Sequence, residues 1–279
     1  MLKLATIAGA AALAGALTFA AGAQAQDAPA ADAPLTVDIR TCPERLDPAR
    51  EAEDGGEVDA ALSAWNRGGY GALAPHLPAL QRVLEHAPAC YPEFEQRGDL
   101  ILAREEDRDA SMTLFLLLSP AMKDRSVSLQ SEANIYGRAS LMLGSYANEM
   151  HHFEEGIQWL DRGLALQPAN QYLTLEKATA LGQLRRYDEQ VALLQAEIDN
   201  PAVAMTLDRA RYQRNLGIAL IDANRLDDAE TALNESIRLQ PDNPRARAEL
   251  QYIAELRAGR PALTQSMTSV GDTPPPEPK

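Results

Sequence analysis

The chain has 279 residues, with 26 Lys and Arg against 40 Asp and Glu for a formal charge of -14, two Cys and four His. Its 46% hydrophobic content is enough to bury a core, which excludes disorder throughout. The acidity argues against nucleic acid and anionic lipid as partners, because counterion release needs clustered Lys and Arg.

Residues 1–25 read as a secretory signal peptide: Met1-Leu2-Lys3, an Ala/Gly/Leu run from Leu4 to Gly22, then Ala23-Gln24-Ala25 ahead of a polar turn at Gln26. The run is too weakly apolar for an uncleaved anchor and ends at a good cleavage site. Cleavage removes only Lys3, leaving 25 basic and 40 acidic residues. A lipoprotein is disfavoured, since the first Cys is Cys42. With no second apolar span of membrane length, the mature protein is expected to be soluble. Such Ala-rich signals resemble those of Gram-negative bacteria, which implies the periplasm, with secretion as the alternative.

Residues 26–57 are rich in Ala, Pro, Asp and Glu; between 27 and 59 ten acids face only Arg40, Arg45 and Arg50. A segment so poor in apolar period cannot offset its ordering entropy, and is expected to be an extended or disordered arm. Residues 58–258 carry helical periodicity without a convincing period-2 strand. Beyond them, 259–279 ends in Pro274-Pro275-Pro276-Glu277-Pro278-Lys279, a disordered tail with polyproline character.

The helical region is self-similar. Counting from Gly144 and Gly217, an apolar residue stands nine on (Phe153, Leu226), a small one twelve on (Gly156, Ala229), a Leu sixteen on (Leu160, Leu233) and an aliphatic twenty on (Leu164, Ile237). Both stretches close in Leu-Gln-Pro-x-Asn, at 166–170 and 239–243. The same frame on Ala178 gives Tyr187, Leu194 and Ile198; on Gly98, Ala110, Leu114 and Leu118; on Ala64, Leu73, Leu80, Leu84 and Pro88. Ala178 lies 34 residues after Gly144, and Gly98 lies 34 after Ala64.

A 34-residue period with these small, aromatic and terminal Pro positions resembles the tetratricopeptide repeat (TPR) family. The strongest units are 137–170, 171–204 and 210–243; 57–90 and 91–122 match less well, and 244–258 forms a capping helix. The resemblance implies an all-α fold, a right-handed α-solenoid of about five TPR-like helical hairpins. Gly144, Gly217, Gly156 and Ala229 would let paired helices approach closely, with Leu143, Phe153, Leu160 and Leu164 filling the space between. Pro168 and Pro241 stop the second helices. Asp227 with Glu230 reads as an N-cap with its box partner, and Asp188 as a similar cap. In the capping helix Ala248, Leu250, Tyr252, Ile253 and Leu256 are expected inward, with Arg245, Arg247, Glu249 and Glu255 in water.

No nucleophile stands in a recognisable motif. His151-His152 with Glu154 and Glu155 is the one cluster that suggests a metal, but it falls in a predicted turn where a solvated polar loop is expected, so no metal or cofactor is assigned. His76 and His86 read as structural, and Trp65 and Trp159 as core. Cys42 and Cys90 form an even pair that an oxidising compartment would bridge, stapling the arm to the junction of the first two hairpins; two free thiols are the alternative.

In the TPR family the first helix of each hairpin lines a groove that receives a peptide or partner helix. Carried over, the groove comprises Arg138, Leu141, Ser145, Asn148 and Glu149; Tyr172, Leu175, Thr179 and Gln183; Arg211, Arg214, Ile218 and Asp222. Arg211 and Arg214, with Arg138 two units away, could hold a carboxylate or acidic segment. The resemblance implies a non-enzymatic periplasmic scaffold binding an envelope protein or peptide. A metal-handling protein or enzyme using His151, His152, Glu154 and Glu155 is the alternative, and self-association through the terminal caps a third possibility.

Overall fold

The computed structural model describes residues 39–43, 47–104, 128–200 and 207–260. The signal-peptide reading, half of the N-terminal arm and all but two residues of the Pro-rich tail lie outside these.

Helix α1 spans Pro48–Leu73: the Asp47 side chain accepts from the Ala49 amide, and Pro48 takes the first turn, where no donor is needed. The helix therefore begins well inside the stretch expected to be a disordered arm. That acidic stretch folds because it supplies buried Asp54 and then Val58 to an interface. Gly68 and Gly69 break α1, Gly69 with a φ of 62°. After a short 3-10 turn, α2 (Leu77–Glu85) packs back on α1, so the 57–90 frame falls on a helical hairpin with Leu73, Leu80 and Leu84 buried.

The next frame does not. Residues Phe94–Arg97 (β1) and Leu100–Ala103 (β2) form an antiparallel hairpin, and Ser128–Ser131 (β3) adds to β2 in parallel, Leu100 opposite Ser128. Gly98, counted from sequence as a helix-packing residue, instead takes a φ of 63° in the two-residue turn between β1 and β2. Arg40 bridges alongside Glu95, and the Cys42–Cys90 disulfide ties this segment to the end of the first hairpin. The other Gly98-frame positions, Ala110, Leu114 and Leu118, lie outside the described residues.

From α3 onward the repeats are regular: α3 (Ile135–Glu149) with α4 (Phe153–Leu166), α5 (Gln171–Gln183) with α6 (Tyr187–Asp199), α7 (Arg209–Asp222) with α8 (Leu226–Leu239), and α9 (Pro244–Arg257) as the cap. Close approach explains the small positions. A Cβ built on Gly144 would lie 2.5 Å from Leu160 Cγ, and one on Gly217 2.6 Å from Leu233 Cγ. The second helices α4 and α8 end just before their Gln-Pro pairs, as the missing Pro amide requires.

The caps differ from those read in the sequence. Asn134, Asn170, Asp208 and Asn243 each accept backbone amides at the start of a first helix. The Asn of the repeated Leu-Gln-Pro-x-Asn string is thus the N-cap of the next hairpin. Asp227 and Asp188 are not caps: Arg225 and Arg186 hold those positions, without side-chain capping bonds. Asp227 and Glu230 instead each accept from Arg257 at 2.6 Å, clamping α9 onto the last hairpin. On α9 itself Ala246 and Ile253 are the buried positions, while Ala248, expected inward, is exposed.

Candidate functional site

The first helices α3, α5, α7 and α9 stack side by side, and their inward positions make one continuous face. On it Arg138, Leu141, Tyr172, Thr179, Gln183, Arg211, Arg214, Ile218 and Asp222 are partly exposed and Glu149 is exposed. Three of the thirteen groove positions read from the sequence are floor rather than contact surface: Leu175 is 2% exposed, Ser145 4% and Asn148 8%. Packing of neighbouring first helices closes over them.

Asn148 shows what the floor does. Its Nδ2 donates to Glu176 Oε1 at 3.0 Å, linking α3 to α5. Its Oδ1 lies where a side chain on Gly156 would be, 2.2 Å from a built Cβ, so Asn148 and Gly156 are matched across the hairpin. Glu176, absent from the sequence-derived set, is thereby held in the floor. Burial is the main cause that raises its carboxyl above the ordinary value, against the Asn148 and Ser145 hydrogen bonds and the charge of Arg211. Tyr70, from the last turn of α1, is pushed up to about 12 by burial and then by Glu176 and Glu149. It stacks with Trp65 at 5.5 Å and meets Tyr146 edge-on at 6.3 Å. This aromatic and acidic corner escaped the repeat frame because Tyr70 follows the Gly68-Gly69 break.

At the other end the Arg211 guanidinium lies 5.9 Å from the Tyr172 ring centroid. Arg214, one turn on, is held below its ordinary value by burial and then by the charges of Arg211 and Arg245, against Asp208 and Glu249. Burial and the nearby Asp222 raise Glu249. The face is therefore lined with charge of both signs, partly desolvated.

His151 and His152 do not converge. His151 sits in the turn after α3 with a φ of 60°, its ring edge-on to Phe153 at 5.6 Å; His152 Nδ1 lies 3.7 Å from Glu155. Glu154 turns to Arg186, 3.4 Å away. Among the described residues no group of three or more His, Cys, Asp or Glu is placed to hold a metal ion. Trp65 and Trp159 are partly buried against a core that includes Val58, Leu80, Tyr136 and Leu143. His86 is structural, as read: its Nδ1 lies 2.8 Å from Asp54 Oδ1 and its Nε2 3.4 Å from Arg50, while the Tyr136 hydroxyl donates to Asp54 Oδ2 at 3.1 Å. This network joins the first hairpin to α3. Beside it Arg104 lies over the Tyr91 ring at 3.8 Å and 2.7 Å from Glu95, tying in the sheet.

No family model matches the chain, and no curated protein matches it. Among solved structures it is similar to the first TPR domain of human RPAP3, at 20% identity over 44% of this chain and 94% of that one, with a TM-score of 0.39. It is likewise similar to the second TPR domain of human RPAP3 in complex with an HSP70 peptide, at 20% identity over 42% and 98%, TM-score 0.36. A third is MamA from Desulfovibrio magneticus RS-1, at 14% identity over 74% and 86%, TM-score 0.47. By the stacking and small-residue geometry of its own hairpins, the fold of this chain is a TPR-type α-solenoid.

Proposed function

We propose that the protein is a non-enzymatic scaffold of the bacterial envelope that holds an extended segment of a partner protein against the stacked first helices. The observation that carries this reading is the continuous face of α3, α5, α7 and α9, where charged and aromatic side chains from successive hairpins lie partly exposed rather than closed into a core. Repeated hairpins each offer a few such side chains, so affinity accumulates along a long ligand. The secretory-type N-terminus and the Cys42–Cys90 bridge support export to an oxidising compartment, with the periplasm as the destination.

A photo-crosslinking side chain placed in cells at Thr179 or Ile218 should form protein adducts, and one at Ala196 or Asn234, exposed on second helices, should not. Arg211→Glu/Arg214→Glu should remove the adducts. Adducts from the second-helix positions alone would overturn the groove. Mass analysis of the cellular protein tests export: a chain beginning at Gln26 is expected, and one retaining Met1 would overturn it.

A further inference from the structure

Two acids at the N-terminal end of the groove lack a cationic partner. Glu176, on α5, is 7% exposed, yet its carboxylate meets only neutral donors, Asn148 Nδ2 at 3.0 Å and the Ser145 hydroxyl. Glu149, in the last turn of α3, is exposed. Among the described residues no basic side chain lies within ion-pair distance of either. The basic side chains that α3 and α5 carry are engaged elsewhere: Arg138 with Asp59 at 3.9 Å, and Lys177 with Asp161 at 2.6 Å. A carboxylate has about four acceptor sites, so two neutral donors leave Glu176 room for a further one. A buried acid is costly until a cation pairs with it, and the fold does not supply that cation.

Three aromatic rings stand beside these acids. Tyr70, in the last turn of α1, lies 5.5 Å from Trp65 and 6.3 Å from Tyr146, the two tyrosine rings inclined at 66°. Glu176 and Glu149 both act on the Tyr70 hydroxyl, which places rings and carboxylates in one corner. Trp65, Tyr70 and Tyr146 are all partly exposed, so a ligand can reach them. Ring faces carry negative charge density and attract cations, as the carboxylates do. Arg211 reaches Glu176 by charge without pairing with it, and it repels further cations from the α7 side.

We infer that this corner, part of the groove proposed above as the ligand site, takes one basic side chain, a lysine or arginine of the bound segment. The alkyl stem lies along Tyr70 and Tyr146, and the charged head meets Glu176 and Glu149.

The test uses the full mature chain carrying Trp159→Phe, which leaves Trp65 as the one tryptophan of two. At constant ionic strength, n-butylammonium and n-butylguanidinium should change Trp65 fluorescence saturably, binding at least about tenfold tighter than n-butanol. Glu149→Gln/Glu176→Gln keeps the side-chain shapes and the Asn148 bond, and should remove that preference. Glu149→Gln alone, at an exposed position, should weaken both cations about threefold. Tyr70→Leu should do the same while leaving n-butanol unchanged. Alcohol binding as tight as that of the cations, or cation binding indifferent to the double variant, would overturn the corner. Tetramethylammonium binding tighter than n-butylammonium would make it a cage for a free quaternary ammonium and overturn the side-chain reading.

In cells the double variant should lower the adduct yield from Thr179 about tenfold. An unchanged yield would mean that no basic side chain of the segment enters the corner, and the groove would stand. Cation binding without any adducts at Thr179 or Ile218 would instead sink the groove, and the bound segment with it.

Discussion

The two ends of the solenoid are held together by different physics. From α3 to α9 the same small-against-large contact recurs, Gly144 on Leu160 and Gly217 on Leu233, and each hairpin is stabilised by its neighbours. The N-terminal end, with a broken α1, a short α2 and a three-stranded sheet, has no such repeat. A disulfide, a buried carboxylate and a guanidinium stacked on a tyrosine take its place. Where apolar periodicity is weak, covalent and polar links set the geometry, and the disulfide makes that end sensitive to redox state in a way the regular repeats are not.

Removing the staple should therefore have the largest effect. Cys42 and Cys90 are 48 residues apart, and closing a loop of that size stabilises by about 4 kcal/mol in the chain-entropy model. Cys42→Ser/Cys90→Ser should raise hydrogen exchange across residues 58–85 and leave 209–239 nearly unchanged. Uniform loss of protection along the chain would mean that the two ends are one cooperative unit.

Next comes a change aimed at the regular end. Gly217→Trp forces a ring into the space of Leu233, at a cost of about 3 kcal/mol. Thermal unfolding should show the C-terminal hairpins melting early, and a melting curve like that of wild type would refute the close approach of α7 and α8. Asp54→Ala should cost somewhat less, about 2 kcal/mol, because it leaves the His86 and Tyr136 donors without their buried acceptor. The same deletion should be silent in exchange at α8.

How much of this was legible in the sequence follows the same division. Spacings from Gly144 and Gly217 located three hairpins and the cap, since a close helix approach admits few residue types. Asn170 and Asn243 stood in the repeated string, but their capping role depends on the hairpin that follows. The sheet was hidden for two reasons: Phe94–Arg97 is too short for a clear alternation, and β2 finds its parallel partner far along the chain at Ser128. Asp54 looked like one more acid in a solvated arm, and only the arrival of His86 and Tyr136 makes it a buried hub. Arg138 and Arg211 were legible as groove residues from the repeat frame, whereas Arg245 was expected in water on the capping helix.

The smallest effect concerns Glu197, at the junction of the two halves of the repeat array. Burial alone lifts its carboxyl from 4.5 to about 6, and its Oε2 has no hydrogen-bond partner among the described residues. A carboxyl raised in the folded state favours folding while protonated. That contribution is complete below pH 4.5 and is lost as pH rises through about 6. Above that pH the ionised group costs about 1 kcal/mol, after allowance for its partial exposure. Glu197→Gln should then stabilise the protein at pH 8, leave it unchanged at pH 4, and flatten the decline between them in a series of urea melts. A gain of equal size at both pH values would assign the effect to packing, since an amide and a neutral carboxyl differ little in shape but only the carboxyl can ionise.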